Sequence, residues 1–296
     1  MSLRKLSGFV GVAGLVTMFV VSIEAQITLT GTNYAQNFNS ISNGLPPGWS
    51  VRTNATATSL GMPADFNTNA VSWGTQTGQF GNAAGTINNS LAAAVGTETS
   101  TQQSAFTNRC PSIRQTATFG DPGAAFVFQI ANTTGYSNFT FSVDLNMLSV
   151  QTHSTIWTVD YAVGNKPTSF TLLGTNSDTG VFGTTNQTYN LGVDANDQPQ
   201  NVWIRITALS SSSGTSGYRD TFGIDNFVLN YAAATVTPVP LFIQTDGKNA
   251  VLTWGDASFA LQAAPSLSDT FTNVNGAASP FTNKLDAPAR FFRIVH

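Results

Sequence analysis

Hydrophobic and polar residues alternate with a period of two along much of the chain between positions 124 and 207. In the clearest stretch, Phe139, Phe141 and Val143 alternate with Thr140 and Ser142. Because successive side chains of a β-strand point to opposite faces, this period predicts half-buried antiparallel strands. The same pattern recurs at 124–130, 157–163 and 202–207.

The stretch Tyr218–Tyr231 begins in a polar loop and becomes rich in Phe, Ile, Val and Leu. Apolar residues on both faces are typical of a strand in the middle of a sheet, so we expect a central closing strand here. Asp225 and Asn226 stand in its middle. A carboxylate in such a strand is unusual, because burying it is costly unless it is paired or holds a metal.

Regularly spaced strands without helical repeats predict an all-β protein. Seven to ten strands over residues 26–232 indicate a jelly-roll β-sandwich. Residues 233–240 are Ala-, Thr- and Pro-rich and predict an extended linker. Residues 241–296 predict a second, small β-domain that opens with a hairpin around Asp246-Gly247.

Residues 1–25 resemble a secretory signal peptide. Arg4 and Lys5 precede an apolar run, and small residues stand near a cleavage point after Ala25. The alternative is a membrane anchor, but the run is short for a spanning helix, which needs about 20 residues. No later stretch is long and apolar enough to span a bilayer. We therefore expect a secreted or extracellular protein, with a periplasmic or cell-surface location as variants of this.

Charged residues make up only 9% of the chain. After removal of residues 1–25, ten basic and fourteen acidic residues remain of twelve and fifteen, a formal charge of −4. A nucleic-acid partner requires a basic face, so this class is not expected. Cys110 is the single cysteine and excludes an internal disulfide.

Two short motifs carry a resemblance. Asn37-Phe38-Asn39 near the start and Ile224-Asp225-Asn226-Phe227 near the end of the first domain resemble the first and last strands of bacterial secreted jelly-roll modules of the carbohydrate-binding-module and MAM-like type. In the second domain, Leu261–Leu267 and Arg290–Ile294 resemble the small fibronectin-III-like module of such proteins. The resemblance implies a jelly roll followed by a fibronectin-III-like β-sandwich that has no catalytic role.

The resemblance also implies a structural calcium ion between the first and last strands. Asp225 corresponds to the carboxylate ligand and Asn39 to the acidic position after Phe. Asn39 departs from the pattern, because it keeps an oxygen and loses the charge. The alternative is that Asp225 caps a loop or pairs with Arg219 or Arg205.

A glycan-binding face is the second candidate. Trp203 and Arg205 share one face of their strand, and Tyr218 stands at the loop before the closing strand. An aromatic platform beside a polar side chain suits a sugar ring. The alternative is that these aromatic residues fill the sandwich core, where their area is favourable.

An enzyme is not expected. Glycosidases need two carboxylates at a set separation, yet Glu98 is the single Glu after residue 25. Asp144 and Asp160 are the conceivable pair, if their strands are neighbours. Two His, His153 and His296, and no Gly-x-Ser-x-Gly leave no hydrolytic triad.

The sequence thus predicts a secreted, non-catalytic binding or adhesion protein whose partner is a polysaccharide or surface glycan. The alternative is a structural extracellular protein without a small ligand. A glycan hydrolase that uses an Asp pair is the third reading.

Overall fold

The computed structural model describes residues 26–85, 98–177, 182–234, 239–286 and 289–295. The chain divides into two compact units, with the boundary between Ala233 and Ala234. The predicted signal peptide and the middle of the predicted linker lie outside the described residues. Among the described residues, none of the helices has the length and hydropathy needed to traverse a bilayer.

The first unit is built from strands, as the alternating sequence pattern predicts. Its strands in the described part of the chain are β1 Asn33–Gln36, β2 Trp49–Thr53, β3 Met62–Pro63, β4 Phe66–Val71, β5 Gln79–Ala84, β6 Arg109–Arg114, β7 Ala125–Ile130, β8 Tyr136–Ser149, β9 His153–Ser154, β10 Ile156–Val163, β11 Thr171–Ser177, β12 Gly183–Asn190, β13 Val202–Thr207, β14 Ser213–Gly214 and β15 Thr221–Ala233. The helical elements described are α1 Ser100–Ala105 and the 3-10 turns Ile41–Asn43, Trp73–Gln76 and Val193–Ala195.

Two sheets stack face to face. The front sheet has the order β11-β10-β13-β7-β2-β3, and the back sheet has the order β12-β8-β15-β6-β5-β4, with β1 added on β15. Pairing is antiparallel except between β4 and β5, which run parallel. The all-β sandwich predicted from the sequence is therefore confirmed.

The core lies between the inner faces of the two sheets. Phe126, Phe128, Val159 and Ile204 of the front sheet are buried together with Phe227 of the back sheet. Phe128 and Phe227 have ring centroids 5.0 Å apart. Because each buried aromatic side chain removes a large apolar area from water, this layer supplies the main stabilising free energy of the unit.

Strand β15 is central in the back sheet, as the Tyr218–Tyr231 stretch predicts. It pairs with β8 and β6, and β1 lies along its second half. The register shifts between Asp225 and Val228, and Asn226 has a φ of 46°. This bulge lets the apolar side chains of Ile224 and Phe227 both reach the core, although they are three positions apart.

The prediction of half-buried strands is wrong for the middle of the front sheet. Every residue of β7 and β13 is buried. On the outer face, Ala55 and Leu60 pack against Ala125, Val127 and Trp203. A loop therefore covers this face, which a period-two pattern cannot show. We call residues 54–61 the cover loop.

The outer face of the back sheet is covered as well. Trp73 packs there with Cys110 and Leu148, and its Nε1 donates to the carbonyl of Ala84 at 3.1 Å. Helix α1 begins with a capping box in which Thr99 and Gln102 exchange hydrogen bonds.

The second unit is a small β-sandwich. Its described strands are β16 Phe242–Thr245, β17 Asn249–Thr253, β18 Ala260–Ala264, β19 Thr272–Asn273, β20 Phe281–Lys284 and β21 Phe291–Val295. They form two three-stranded sheets, β16-β17-β20 and β19-β18-β21. Leu252, Trp254 and Leu261 lie in their common core. The fibronectin-III-like assignment stays a prediction.

Two details differ from the sequence predictions. Ala233, placed in the linker, continues β15 and pairs with Tyr136. The sequence pattern did not predict the first half of strand β6, because Pro111 interrupts it. It did not predict strand β20, because polar residues dominate that segment.

Candidate functional site

Trp203 and Arg205 lie on the outer face of the front sheet, as their alternation with Ile204 predicts. They are not exposed, however: Trp203 is 4% and Arg205 0% accessible. The open aromatic platform predicted at Trp203 is therefore absent, because the cover loop lies over this part of the sheet.

Arg205 is fully engaged with protein groups. Its Nε and one terminal nitrogen donate to the two carboxylate oxygens of Asp160 at 2.8 and 2.7 Å. The other terminal nitrogen donates to the carbonyls of Thr56 and Ser59 at 2.8 and 2.6 Å. The ring of Phe170 lies 3.7 Å from the guanidinium carbon. Arg205 thus positions the cover loop and does not face a ligand.

Burial raises the pKa of Asp160, and the hydrogen bonds and charge of Arg205 oppose that shift. A buried bidentate pair of this kind satisfies both partners, whereas removing one leaves a costly unpaired charge. The pair therefore sets the geometry of the outer face.

A pocket remains beside Trp203, between the cover loop and the turn that follows β10. Its volume is about 340 Å³. The Nε1 of Trp203 donates to the carbonyl of Gly164 at 2.7 Å, which ties the turn to the sheet. We call this space the Trp203 pocket. It is lined by Arg52, Thr58, Ser59, Leu60, Gly61, Asn165, Lys166, Pro167, Thr168 and Trp203.

Tyr218 lies elsewhere. It is 65% exposed, and its ring is 5.9 Å from the guanidinium carbon of Arg114. Its carbonyl accepts from the backbone N–H of His153 at 3.1 Å. Tyr218 is not among the described residues that line the Trp203 pocket, so the three predicted ligand-binding residues do not form one site.

A second cleft opens at one edge of the sandwich, where β11 of the front sheet and β12 of the back sheet are both edge strands. Its volume is about 330 Å³. We call it the edge cleft. The residues that line it are Leu145, Met147, Trp157, Asn176, Ser177, Phe182, Gly183, Thr184, Thr185 and Phe222.

The base of the edge cleft is apolar and aromatic. Trp157 and Phe222 come from opposite sheets, and their rings stack with centroids 4.0 Å apart and an interplanar angle of 11°. Leu145 and Met147 of β8 continue the apolar surface. Offset or stacked aromatic pairs gain free energy beyond their buried area, so this base is rigid.

The rim of the edge cleft is polar, and none of its described residues is charged. It carries the hydroxyls of Ser177, Thr184 and Thr185 and the amide of Asn176. The amide nitrogen of Asn176 donates to the hydroxyl of Tyr189 at 2.8 Å, which orients its oxygen. The sequence analysis missed this site, because Thr- and Ser-rich edge strands have the composition of an ordinary surface.

Asp225 is buried on the outer side of the back sheet, with 0% of its surface accessible. Its Oδ1 accepts from the backbone N–H of Asn226 at 2.8 Å. Arg205 and Arg219 pair with Asp160 and Asp121, so the described residues do not pair Asp225 with either arginine.

Desolvation and, to a smaller extent, the nearby Asp144 raise the pKa of Asp225 to about 7, against the hydrogen bonds from the backbone of Asn226 and the side chain of Asn108. The second oxygen, Oδ2, is buried without a hydrogen bond of normal geometry among the described residues, although the side-chain amide of Asn108 lies close enough to lower the pKa of the carboxyl. A Cβ added at Gly85 would lie 2.9 Å from this oxygen and 2.7 Å from Asn108 Nδ2. Glycine at position 85 therefore allows the carboxylate of Asp225 and the amide of Asn108 to pack closely against the backbone.

Calcium prefers six to eight oxygen ligands. Of the two predicted ligands, only Asp225 remains a candidate. The Oδ1 of Asn39 accepts from the backbone N–H of Arg109 at 2.9 Å, so this predicted ligand already has a partner. Among the described residues, no group of three or more His, Cys, Asp or Glu side chains is placed to hold a metal. The calcium site stays a prediction.

The prediction that Asp144 and Asp160 could form a pair on neighbouring strands is wrong. Asp144 lies on β8 of the back sheet and Asp160 on β10 of the front sheet. The oxygens of Asp144 accept from Asn186 at 2.7 Å and from Asn226 at 2.8 Å. The error arose because strands that follow each other in sequence belong to different sheets here.

Comparisons with known proteins give distant matches. No protein-family model and no curated protein matches the chain. The K1 cleaved adhesin domain of Lys-gingipain from Porphyromonas gingivalis W83 is similar at 13% identity with a TM-score of 0.39, over 69% of this chain and 100% of that one. The C-terminal family 22 carbohydrate binding module of Clostridium thermocellum Xyn10B matches at 11% identity and 0.36, over 70% and 98%.

An apo form cyclase from Fischerella sp. is similar to the same degree, at 14% identity with a TM-score of 0.38, over 70% of this chain and 91% of that one. With TM-scores this low, and with binding domains and a cyclase among the matches, these similarities decide nothing about what the chain does.

Proposed function

We propose that this is a secreted, non-catalytic carbohydrate-binding protein, and that a neutral sugar ring of a polysaccharide or surface glycan enters the edge cleft. The observation that carries the proposal is the composition of this cleft. It combines an apolar base with a polar rim that has no charged side chain among the described residues. In the base, Trp157 and Phe222 are largely buried. Leu145 and Met147 add aliphatic surface to it.

This composition suits a sugar because a pyranose ring has two different surfaces. Its C–H groups present an apolar face that packs on an aromatic base, and its hydroxyls need hydrogen-bond partners around the edge. Ligand sites in proteins are typically apolar clefts of about 300–1,000 Å³ with a few placed polar groups. The edge cleft, at about 330 Å³, has room for one or two sugar rings.

The residues that line the edge cleft are also the reason why we propose a non-catalytic protein. None of the described residues that line the edge cleft is Asp, Glu, His, Cys, Lys or Arg. General acid–base catalysis needs a titratable side chain within reach of the substrate, and glycoside hydrolysis typically needs two carboxylates. The described lining of the cleft offers a bound sugar no such group.

The test fills the edge cleft with a large side chain. Thr185 pairs with Leu145, a core residue, so its side chain points to the inner side of β12, whereas Thr188 pairs with Ser142 on the other side. Thr185→Trp is expected to weaken the binding of a neutral saccharide at least tenfold, and the matched control Thr188→Trp to leave it unchanged. Calorimetric titration with a panel of neutral oligosaccharides measures both.

Two results would overturn the proposal. One is that no neutral saccharide of the panel binds the unmodified protein. The other is that a saccharide binds Thr185→Trp as tightly as the unmodified chain while both variants melt at similar temperatures.

A further inference from the structure

The Trp203 pocket differs from the edge cleft in its charge. Among its lining residues are Arg52 and Lys166, and none of the described lining residues is acidic. Asp160, which lies on the same face of the sheet, accepts from Arg205 with both of its oxygens. The pocket is therefore a cationic site on a protein of net negative charge.

Lys166 is unusual within the first unit. The arginines of its described part are buried or half-buried, and Lys166 is the one basic residue of this part that is exposed. Most of those arginines bond to neighbouring protein groups. Examples are Arg114, which donates to Thr221 and Ser149, and Arg109, which donates to Asn82. Lys166 makes no ion pair with any described residue. Its ammonium is thus available at the rim of the pocket.

The walls of the pocket are held in place. Arg205 binds the carbonyls of Thr56 and Ser59 on the cover-loop side, and Trp203 binds the carbonyl of Gly164 on the turn side. Arg52 donates to the carbonyl of Gly61 at 3.1 Å, and its guanidinium carbon lies 5.7 Å from the centroid of the Trp203 ring. The pocket is therefore preorganised, which lowers the entropic cost of binding.

We propose that the Trp203 pocket binds a sugar ring that carries one negative charge, a uronate or a sulfate ester. Lys166 pairs with the anionic group, and the hydroxyls of Thr58, Ser59 and Thr168 face the ring. The inference goes beyond the proposed function, because it concerns a second site and a different ligand charge.

The charge of the whole chain limits the ligand to a single anionic group. The fourteen acidic residues of positions 26–296, against ten basic ones, repel a long polyanion at low salt. A single charge at the pocket is within reach of Lys166, while distant acidic side chains are screened beyond about 8–10 Å at moderate ionic strength. A single acidic sugar unit within an otherwise neutral glycan can pair with Lys166 without the repulsion that a long polyanion would meet.

The experiment is an NMR titration of the full chain with D-galacturonate, galactose 6-sulfate, galactose and inorganic sulfate, in parallel. We expect one or both anionic sugars to shift the indole N–H of Trp203 and the amide of Lys166. In Lys166→Gln their affinity falls about fivefold, the size expected for one partly exposed ion pair. The matched control Lys248→Gln, an exposed lysine of the second unit, leaves it unchanged.

Three outcomes overturn the inference: equal affinity in Lys166→Gln, equal affinity for galactose, or inorganic sulfate binding as tightly as the sugars, which shows an adventitious anion only. Response to only one of the anionic sugars supports the inference and identifies the group. Thr185→Trp distinguishes this site from the edge cleft, since it is expected to leave the anionic titration unchanged.

Discussion

At the scale of single residues, buried polar side chains decide the local chemistry. Arg205 and Asp225 are both fully buried, yet their surroundings differ. Arg205 has a carboxylate, two carbonyls and a ring around it. Asp225 has one backbone N–H on one oxygen, and near the other it has the side-chain amide of Asn108 without a hydrogen bond of normal geometry. The first residue is satisfied, and the second costs free energy whenever it is ionised.

Asp225→Asn is expected to stabilise the protein above neutral pH. The pKa of Asp225 is raised from 3.8 to about 7 in the folded chain, so the folded state holds its proton more tightly than the unfolded state. Stability therefore falls as pH rises from about 4 to 7 and stays low above that. At about 1.4 kcal/mol per pKa unit, the cost above pH 7 is on the order of 4 kcal/mol. Urea unfolding in EDTA at pH 5 and pH 8 measures it.

The stability gain of Asp225→Asn over the unmodified protein should be larger at pH 8 than at pH 5. Asp194→Asn, at an exposed aspartate in a 3-10 turn, is the control and should change neither value by more than about 0.5 kcal/mol. A gain that is equal at both pH values would contradict the burial of an ionisable Asp225.

The same pair of proteins tests the predicted calcium site. If calcium binds at Asp225, adding it at pH 8 raises the melting temperature of the unmodified protein and leaves Asp225→Asn unchanged, because a ligand stabilises only the state that binds it. No response of the unmodified protein to millimolar calcium would remove the site.

At the scale of elements, the outer face of the front sheet shows how a loop becomes part of the core. The cover loop contributes Ala55 and Leu60 to the cluster around Trp203, and its carbonyls are bound by Arg205. Buried backbone carbonyls need partners, and Arg205 supplies them from the sheet. The loop and strand β13 therefore depend on each other.

Arg205→Met is expected to lower the free energy of unfolding by about 3–5 kcal/mol, because it leaves Asp160 buried without its partner. Amide hydrogen exchange in residues 55–60 should become faster. In the double variant Arg205→Met/Asp160→Leu, we expect much of the stability to return while exchange in the cover loop stays fast. If exchange there is unchanged in both variants, Arg205 does not position the loop.

Period-two patterning predicted three strands of the front sheet, β7, β10 and β13, and the apolar stretch Tyr218–Tyr231 predicted the central place of β15. It did not predict which strands are neighbours. Asp144 and Asp160 illustrate this, since β8 and β10 are close in sequence, with only the short β9 between them, yet lie in different sheets. Alternation reports which residues share a face, and strand pairing depends on contacts between segments far apart in sequence.

At the scale of the whole molecule, each unit has its own hydrophobic core. The second unit is small, and a domain of this size buries a smaller fraction of its surface than a large one. Its stability is therefore expected to be marginal next to that of the first unit.

Scanning calorimetry of residues 26–296 should show two transitions. At about 0.7 kcal/mol per residue, the second unit contributes roughly 40 kcal/mol of unfolding enthalpy and the first unit more than three times as much. A chain truncated after Ala233 should keep the larger transition and lose the smaller one. A single transition that disappears on truncation would show that the first unit does not fold alone.

The sequence by itself determined the all-β class, the strands with clear alternation, the low charge and the small number of Glu, His and Cys residues. These features follow from composition and local periodicity. Only the tertiary structure decided that Trp203 is covered, that Asp225 is buried without an arginine partner, and that Trp157 and Phe222 meet at the base of the edge cleft. These features depend on which strands pair and which loops fold over them. Such contacts join residues 40 to 150 positions apart, and their free energy comes from burial that no local pattern records.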